Sequence, residues 1–339
     1  MNKSKIALKW NIFLLSLSLP QQTHADVNMK EASYFRTWID HVIKRDRRDL
    51  KVRRTYKSRS LFQGVFGFGW CSDLDTNIDI KESESIELND CHNKNALRFI
   101  KNKLTGNFTN TDNARDLIIF DGKTYSRRIH GALDQRFSPS GKLIINKNFI
   151  QKVEYTTDGL VREILYADQS AFQYRYLNKN LIEVIRAGRP HQQYEYDNLH
   201  NLTTIQYSNG EIERIQYDSD YDRVAFIKTR SGCTETYDFK LPDPSNRNHF
   251  VSSVIKKCPK LPDFKTQYEF WYEFNSLAQL YLDRVKIYSG ANETEISYSS
   301  ENGMATKVQT AQPSRTAAFE NYIKGKYHEI YNPETQTTH

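Results

Sequence analysis

Three groups of residues have types and spacings that could do chemistry. In "GVFGFGW" the glycines Gly64, Gly67 and Gly69 stand close enough together to suggest a loop that cradles phosphate with its backbone N–H groups. Such a cradle leads from a strand into a helix, and no helical pattern follows these glycines, which argues against nucleotide binding. Paired carboxylates such as Asp218 and Asp220 are the raw material of glycoside hydrolysis, but they stand in "SDYDR", where Asp favours a turn. The run Lys44 to Arg59 holds nine basic residues against Asp46 and Asp49. Arg45, Arg47, Arg48, Arg53 and Arg54 are its candidate anion-binding side chains, for an anionic glycan, a lipopolysaccharide phosphate or extracellular DNA, and a solvated turn with structural arginines is the competing reading. Arg53 and Arg54 are neighbours, so on a strand they face opposite ways and cannot share one patch.

No nucleophile elbow, HExxH, EF-hand loop or P-loop is present, so no catalytic residue, metal site or cofactor is assigned. Cys71, Cys91, Cys233 and Cys258 form an even set without CxxC spacing, which favours two disulfides over a metal centre. Of the three pairings, Cys71 with Cys91 and Cys233 with Cys258 join the cysteines nearest in sequence. Each would close a loop worth roughly 3 kcal/mol of chain entropy.

The compartment and the elements that carry these residues come next. Residues 1–25 have the layout of an export signal: Lys3, Lys5 and Lys9, an apolar run from Ile12 to Leu19, then Thr23 and Ala25 as small cleavage-site residues. Removing them lowers the formal charge from +7 to +4 and leaves no further apolar run long enough to span a membrane. A mildly basic chain of mixed charge gives no ground for a nucleic-acid partner, and none is expected. With 21 Tyr and 18 Phe against 3 Met, the apolar surface is aromatic and suits twisted sheet better than a helical core.

A repeat fixes the architecture. Tyr155, Tyr176, Tyr196, Tyr217 and Tyr237 are spaced 21, 20, 21 and 20 residues apart, and Ile164, Ile185, Ile205 and Ile227 follow the first four at nine or ten. Turn chemistry recurs about every ten residues, in "TDG", "LNKN", "NLHN", "SNG" and "RSG". Each unit is therefore a β-hairpin, and successive hairpins form an antiparallel meander. Phe172, Tyr174 and Tyr176 share one strand face, and cross-strand packing is the expected role of the tyrosines.

The clearest copy, "YEYDNLHNLTTIQYSNG", resembles the YD repeats of Rhs and teneurin-like proteins, and "RRTYKSRSLFQGVFGFGWCSDLD" resembles the R-x-Y-x-S-R … G-x-F-G-x-G-W segment at the amino-terminal side of bacterial Rhs repeats. The second match fixes Arg54, Tyr56, Ser58, Arg59, Gly64, Phe66, Gly67, Gly69 and Trp70 in order. In "GVFGFGW" Phe66, Phe68 and Trp70 alternate with Gly67 and Gly69, so a strand there has one aromatic face and one bare face that another segment can approach, and Arg54 and Arg59 are expected to stack on or near Trp70. The apolar spacing in "YFRTWIDHVI" reads as a helix by itself. The resemblance implies a strand there instead, in a hairpin turning at "KRDRRD".

The expected fold is all-β: YD hairpins in a curled or rolled sheet forming a partial shell. Its parts would be a signal at 1–25, an amino-terminal β region at 26–150, the YD-repeat sheet at 151–310, and at 311–339 a polar tail or last hairpin. The resemblance implies a shell protein, and the export signal places it in the periplasm, at the cell surface or secreted. Large Rhs shells enclose a toxin, whereas this chain has room for far fewer units and lacks the P-x-x-x-x-D-P-x-G self-cleaving motif, since Asp243-Pro244 continues into Ser245 and Asn246. Three functions follow: a non-catalytic scaffold that encloses, displays or binds a protein or glycan partner, alone or as an oligomer; a surface adhesin or glycan-binding module; and an envelope enzyme with an unrecognised site.

Overall fold

The computed structural model describes residues 26–44, 49–81, 84–91, 96–290 and 292–310. The export signal, the 311–339 segment, and Arg45, Arg47 and Arg48 lie outside the described residues. Within them the chain is all-β, with antiparallel sheets and one 3₁₀ turn at Asp73–Asp75. No helix there is long and apolar enough to cross a membrane.

The first sheet has the order β1-β2-β3-β6, from β1 (Asp26–Asn28), β2 (Ser33–Ile43), β3 (Leu50–Lys57) and β6 (Trp70–Ser72); β4 (Gln63–Gly64) and β5 (Gly67–Phe68) make a small hairpin beside it. The strand expected over "YFRTWIDHVI" is β2. Its spacing imitates a helix because apolar residues stand on both faces of the strand: Tyr34 and Trp38 are buried, while Phe35 and Ile39 point the other way and Ile39 is exposed, and a bulge between Ile39 and Val42 follows.

The next seven strands form a meander from β7 (Asn77–Lys81) through β8 (Ser85–Asn89), β9 (Leu97–Lys101), β10 (Phe108–Asn110), β11 (Asp116–Phe120) and β12 (Tyr125–Ile129) to β13 (Ala132–Phe137). The segment after β13 closes this sheet on itself, since Leu143 bridges Phe137 while Lys142 bridges Asn77. Gly141 sits at the closure with φ +82°, and a Cβ there would lie 1.9 Å from the Ile78 carbonyl oxygen. The interior holds its own core around Ile86, Leu88, Phe99, Ile118 and Phe137. The 26–150 region thus contains the four-stranded sheet, the β4–β5 hairpin and a closed sheet with a core of its own.

Fourteen strands follow in strict sequence order. They are β14 (Ile150–Tyr155), β15 (Val161–Tyr166), β16 (Ala171–Leu177), β17 (Asn180–Arg186), β18 (Arg189–Tyr196), β19 (Leu202–Tyr207) and β20 (Ile212–Tyr217). The rest are β21 (Val224–Lys228), β22 (Thr234–Lys240), β23 (His249–Lys257), β24 (Phe264–Phe274), β25 (Leu280–Ser289), β26 (Asn292–Tyr298) and β27 (Ala305–Thr310). The sheet is curled. Its inner face and the first sheet share one core, in which Trp70, Tyr34 and Phe66 meet Phe172, Ile205 and Ile227. Burial of this aromatic face, at roughly 25 cal/mol per Å² of apolar surface, is the main force holding the two sheets together.

Both short-range cysteine pairs are bonded. Cys233–Cys258 closes the β22–β23 hairpin, and Cys71–Cys91 ties β6 to the loop after β8, joining the first sheet to the closed one. Two disulfides fit an oxidising, exported environment.

Candidate functional site

Of the residues singled out above, Gly67, Arg54, Tyr56 and Trp70 meet at the seam between the first sheet and the inner face of the long meander. Four positions on the meander, Val161, Leu181, Leu202 and Val224, recur at about the repeat length, and all are fully buried. At β15–β16, β17–β18 and β19–β20 the ladder pairing stops at Glu163↔Gln173, Glu183↔Gln193 and Thr204↔Arg214, before Val161, Leu181 and Leu202 are reached. Each opening is spanned by a repeat tyrosine. Tyr176, Tyr196 and Tyr217 donate from their hydroxyls to the carbonyls of Val161, Leu181 and Leu202, at 2.8, 2.8 and 3.0 Å. Satisfying a buried carbonyl in this way removes a desolvation cost of about 1–3 kcal/mol. The two end tyrosines differ: Tyr155 is half exposed, and Tyr237 donates to Glu235.

The first sheet and the β4–β5 hairpin beside it seat in these openings. The Val161 amide donates to the Val65 carbonyl (2.8 Å), the Phe68 amide to the Lys179 carbonyl (3.1 Å), and the Val224 amide to the Ala32 carbonyl (3.0 Å). Tyr56 accepts from the Leu202 amide and donates to the His200 carbonyl, both at 3.0 Å. Trp70 donates from Nε1 to the Tyr196 hydroxyl at 3.0 Å. Ser58 Oγ accepts from the Tyr34 amide at 2.9 Å, and Phe66 lies edge-on to Tyr174.

The glycines serve this seating. A Cβ at Gly64 would lie 2.4 Å from the Trp70 carbonyl oxygen, and one at Gly67 would lie 2.2 Å from the Lys179 carbonyl oxygen. Close approach to the bare backbone is therefore as expected. The single strand is not: Gly67 and Gly69 have φ of +100° and +71°, so "GVFGFGW" folds into β4, a turn, β5 and the start of β6.

Two ion pairs are buried in the seam. Arg54 grips Asp40 with two bonds, Nε to Oδ2 at 2.7 Å and Nη2 to Oδ1 at 2.8 Å. Its Nη2 also reaches Gln192 and Tyr194, and its guanidinium lies 4.8 Å from the Trp70 ring centre. Burial disfavours the charge on Arg54, but Asp40 and the neighbouring tyrosine oxygens more than offset it and hold its pKa above the ordinary value. In the second pair Arg36 donates to Glu213 and to the Tyr207 hydroxyl, both at 2.8 Å, and Tyr34 donates to the same carboxylate at 3.1 Å. Arg36, Asp40 and Glu213 escape a motif reading. Glu213 carried a signal, standing in phase with Ile215 and Tyr217 on the inward face of β20.

The proposed anion-binding patch is corrected at both of its described residues. Arg54 is fully buried on Asp40, and Arg53, facing the other way, donates from Nε and Nη2 to Asp73 with Asp90 and Asp134 nearby. A guanidinium already neutralised by carboxylates has little attraction left for an external anion. Arg59 is corrected too: it donates to the Glu31 carbonyl rather than stacking on Trp70. Asp218 lies in its turn as expected, pairing with Arg223. Cys71, Cys91 and Asp90 cluster closely, but both sulfurs are consumed by the disulfide. Tyr56, Tyr174, Tyr196 and Tyr217 are all held well above the usual tyrosine pKa, chiefly by burial, so they act as neutral hydrogen-bonding groups.

A family model described as a domain of unknown function (DUF6531) matches residues 25–99, the stretch that contains the Arg54–Trp70 motif. Nothing matches among curated proteins. Among solved structures, TcdB2-TccC3 without its hypervariable C-terminal region is similar at 14% identity, over 86% of this chain and 17% of that one, with a TM-score of 0.25. TcdB2-TccC3 itself is similar at 10% identity, over 84% and 20%, with a TM-score of 0.29. The Photorhabdus luminescens Tc holotoxin pore is similar at 13% identity, over 86% and 16%, with a TM-score of 0.24. The chain spans a fifth or less of the length of these structures.

Proposed function

We propose that the chain is a non-catalytic, exported β-scaffold of the YD-repeat kind, which binds or displays a protein partner at the cell envelope. One observation carries this reading: the motif residues with the strongest chemistry, Arg54, Tyr56 and Trp70, are spent on seating the first sheet in the repeat sheet. They are buried, paired and hydrogen-bonded to the chain's own groups, and a side chain in that position braces a framework rather than turning over a substrate. The inner face of the central repeats is thereby filled from within. The rims and the outer face of the meander are the surfaces that remain to meet a partner.

The test is recovery of the exported protein from its native host without denaturant, followed by light scattering and mass spectrometry of everything that travels with it. A particle with a second component in fixed ratio supports the scaffold. A bare chain that hydrolyses a glycan or peptide substrate overturns it.

A further inference from the structure

The hairpins of the long meander turn alternately at two ends. At the end that holds the β17–β18, β19–β20 and β21–β22 turns, arginine faces arginine: Arg186 on β17 pairs directly with Arg189 on β18, and both are exposed. Like charges placed opposite each other weaken a sheet, so this pair costs stability. Further along, Arg214 on β20 faces Lys228 on β21, again like against like. Elsewhere on the same sheet the ordinary rule holds, with Arg162, Arg175 and Arg223 on Glu154, Glu183 and Asp218.

Aromatic rings, rather than carboxylates, hold the arginines of this end. The Arg186 guanidinium lies 5.4 Å from the centre of the buried Phe172 ring, and that of Arg230, from the β21–β22 turn, lies 5.1 Å from the centre of Tyr207. Both rings adjoin His191 on β18: Phe172 stands edge-on to it at 6.1 Å, and the Ser208 amide, next to Tyr207, donates to its carbonyl at 3.1 Å. Arg189 stands two residues before His191 on the same strand, so Arg186, Arg189 and Arg230 gather at one lip. A guanidinium held over a ring keeps N–H groups for another partner. Among the described residues none of the three is ion-paired, because Asp168 is engaged by His41 and Asp40 by Arg54. Glu211 in the β19–β20 turn is the exposed carboxylate that remains here, one acid against three guanidiniums.

We propose that Arg186, Arg189 and Arg230 form a binding site for a phosphomonoester group. Two guanidiniums that repel each other across a hairpin are relieved best by a ligand of about two negative charges, and a phosphomonoester carries about −1.5 to −2 at pH 7. A carboxylate or a phosphodiester carries only one. The three free oxygens of a phosphomonoester also suit arginine forks that approach from different sides. The lip is open to solvent and stands apart from the buried Arg54 and Arg36 pairs, so it takes a phosphate presented from outside, on a soluble molecule or on a lipid headgroup. The site goes beyond the scaffold reading and acts whether or not a protein partner is bound.

The test is titration of the purified full chain with methyl phosphate and with dimethyl phosphate, followed by phosphorus NMR. Methyl phosphate is expected to bind about tenfold or more tighter than dimethyl phosphate, the difference made by one charge-assisted hydrogen bond. Arg186→Gln/Arg189→Gln and Arg230→Gln should each weaken it by about tenfold or more, while Arg247→Gln at the opposite end leaves it unchanged. All four side chains are exposed. Circular dichroism with urea unfolding checks the fold; if the double variant does not fold, Arg189→Gln replaces it, and relief of the like-charge contact should keep or raise its urea midpoint. Sedimentation with phosphatidic acid vesicles that methyl phosphate competes away places the phosphate on a lipid, whereas methyl phosphate binding without such sedimentation places it on a soluble molecule. No binding of methyl phosphate, equal binding of the two esters, or binding unchanged in the folded variants overturns the site.

Discussion

Arg54 on β3 and Asp40 on β2 form a two-point ion pair that is almost wholly removed from water, with side-chain exposures of 0 and 5%. Trp38 on β2 pairs with Arg54 on β3, and Asp40, two residues further along β2, falls on the same inward face, diagonally across from the guanidinium. Arg54→Ala leaves a buried carboxylate without its cation and is expected to cost about 3–5 kcal/mol, whereas replacing both partners together with apolar residues costs less. Urea unfolding of the single and double variants checks this. Arg54→Lys restores only part of the loss, because an ammonium cannot reproduce the planar two-bond grip.

Gly67 and Gly188 both have positive φ, but they differ in what surrounds them. A Cβ at Gly67 meets the Lys179 carbonyl oxygen at 2.2 Å, while one at Gly188 meets open space. Gly188→Ala should cost on the order of 1 kcal/mol from backbone strain alone. Gly67→Ala should cost clearly more and should shift the Lys179 tip. Thermal melts of the two variants side by side distinguish them.

Tyr196 serves two groups, accepting from Trp70 Nε1 and donating to the Leu181 carbonyl, whereas the Tyr176 hydroxyl donates to the Val161 carbonyl. Tyr196→Phe strands two buried polar groups, at about 1–3 kcal/mol each, and Tyr176→Phe strands one. The denaturation midpoint should fall further for the first, with the far-ultraviolet spectrum of both unchanged.

High pH should unfold the chain cooperatively. Burial raises the pKa of Tyr56, Tyr174, Tyr196 and Tyr217 well above 10.0 in the folded state. Above roughly pH 10 the unfolded chain releases protons that the folded chain keeps, so stability is full below that pH and falls as pH rises through it. Tyrosinate absorbance from these groups should appear together with loss of sheet signal. Their titration in a sheet that stays intact would count against their burial.

The repeat was legible because hairpins impose a fixed length between inward tyrosines, and the spacing of Tyr176, Tyr196 and Tyr217 survives directly as three equivalent hydroxyl-to-carbonyl bonds. The disulfide pairs were legible from their short separations. The anion patch misled because a run of arginines shows charge and conceals partners: Asp40 lies 14 residues before Arg54, and Asp73 lies 20 after Arg53. The closed seven-stranded sheet was equally hidden. Its strands are short, and its closure rests on Lys142 and Leu143 bridging two strands that are far apart in sequence.

The central claim, that the motif seats the first sheet in the openings of the repeat sheet, is tested most directly by native-state hydrogen exchange at the amides of Phe68, Val161, Leu202 and Val224. Each donates across the seam rather than within a strand ladder. These four amides should exchange only with global unfolding, as slowly as the central meander strands, and should lose protection together in Arg54→Ala. Exchange at the rate of exposed turns, while the meander stays protected, would contradict the seating of the first sheet and the scaffold built on it.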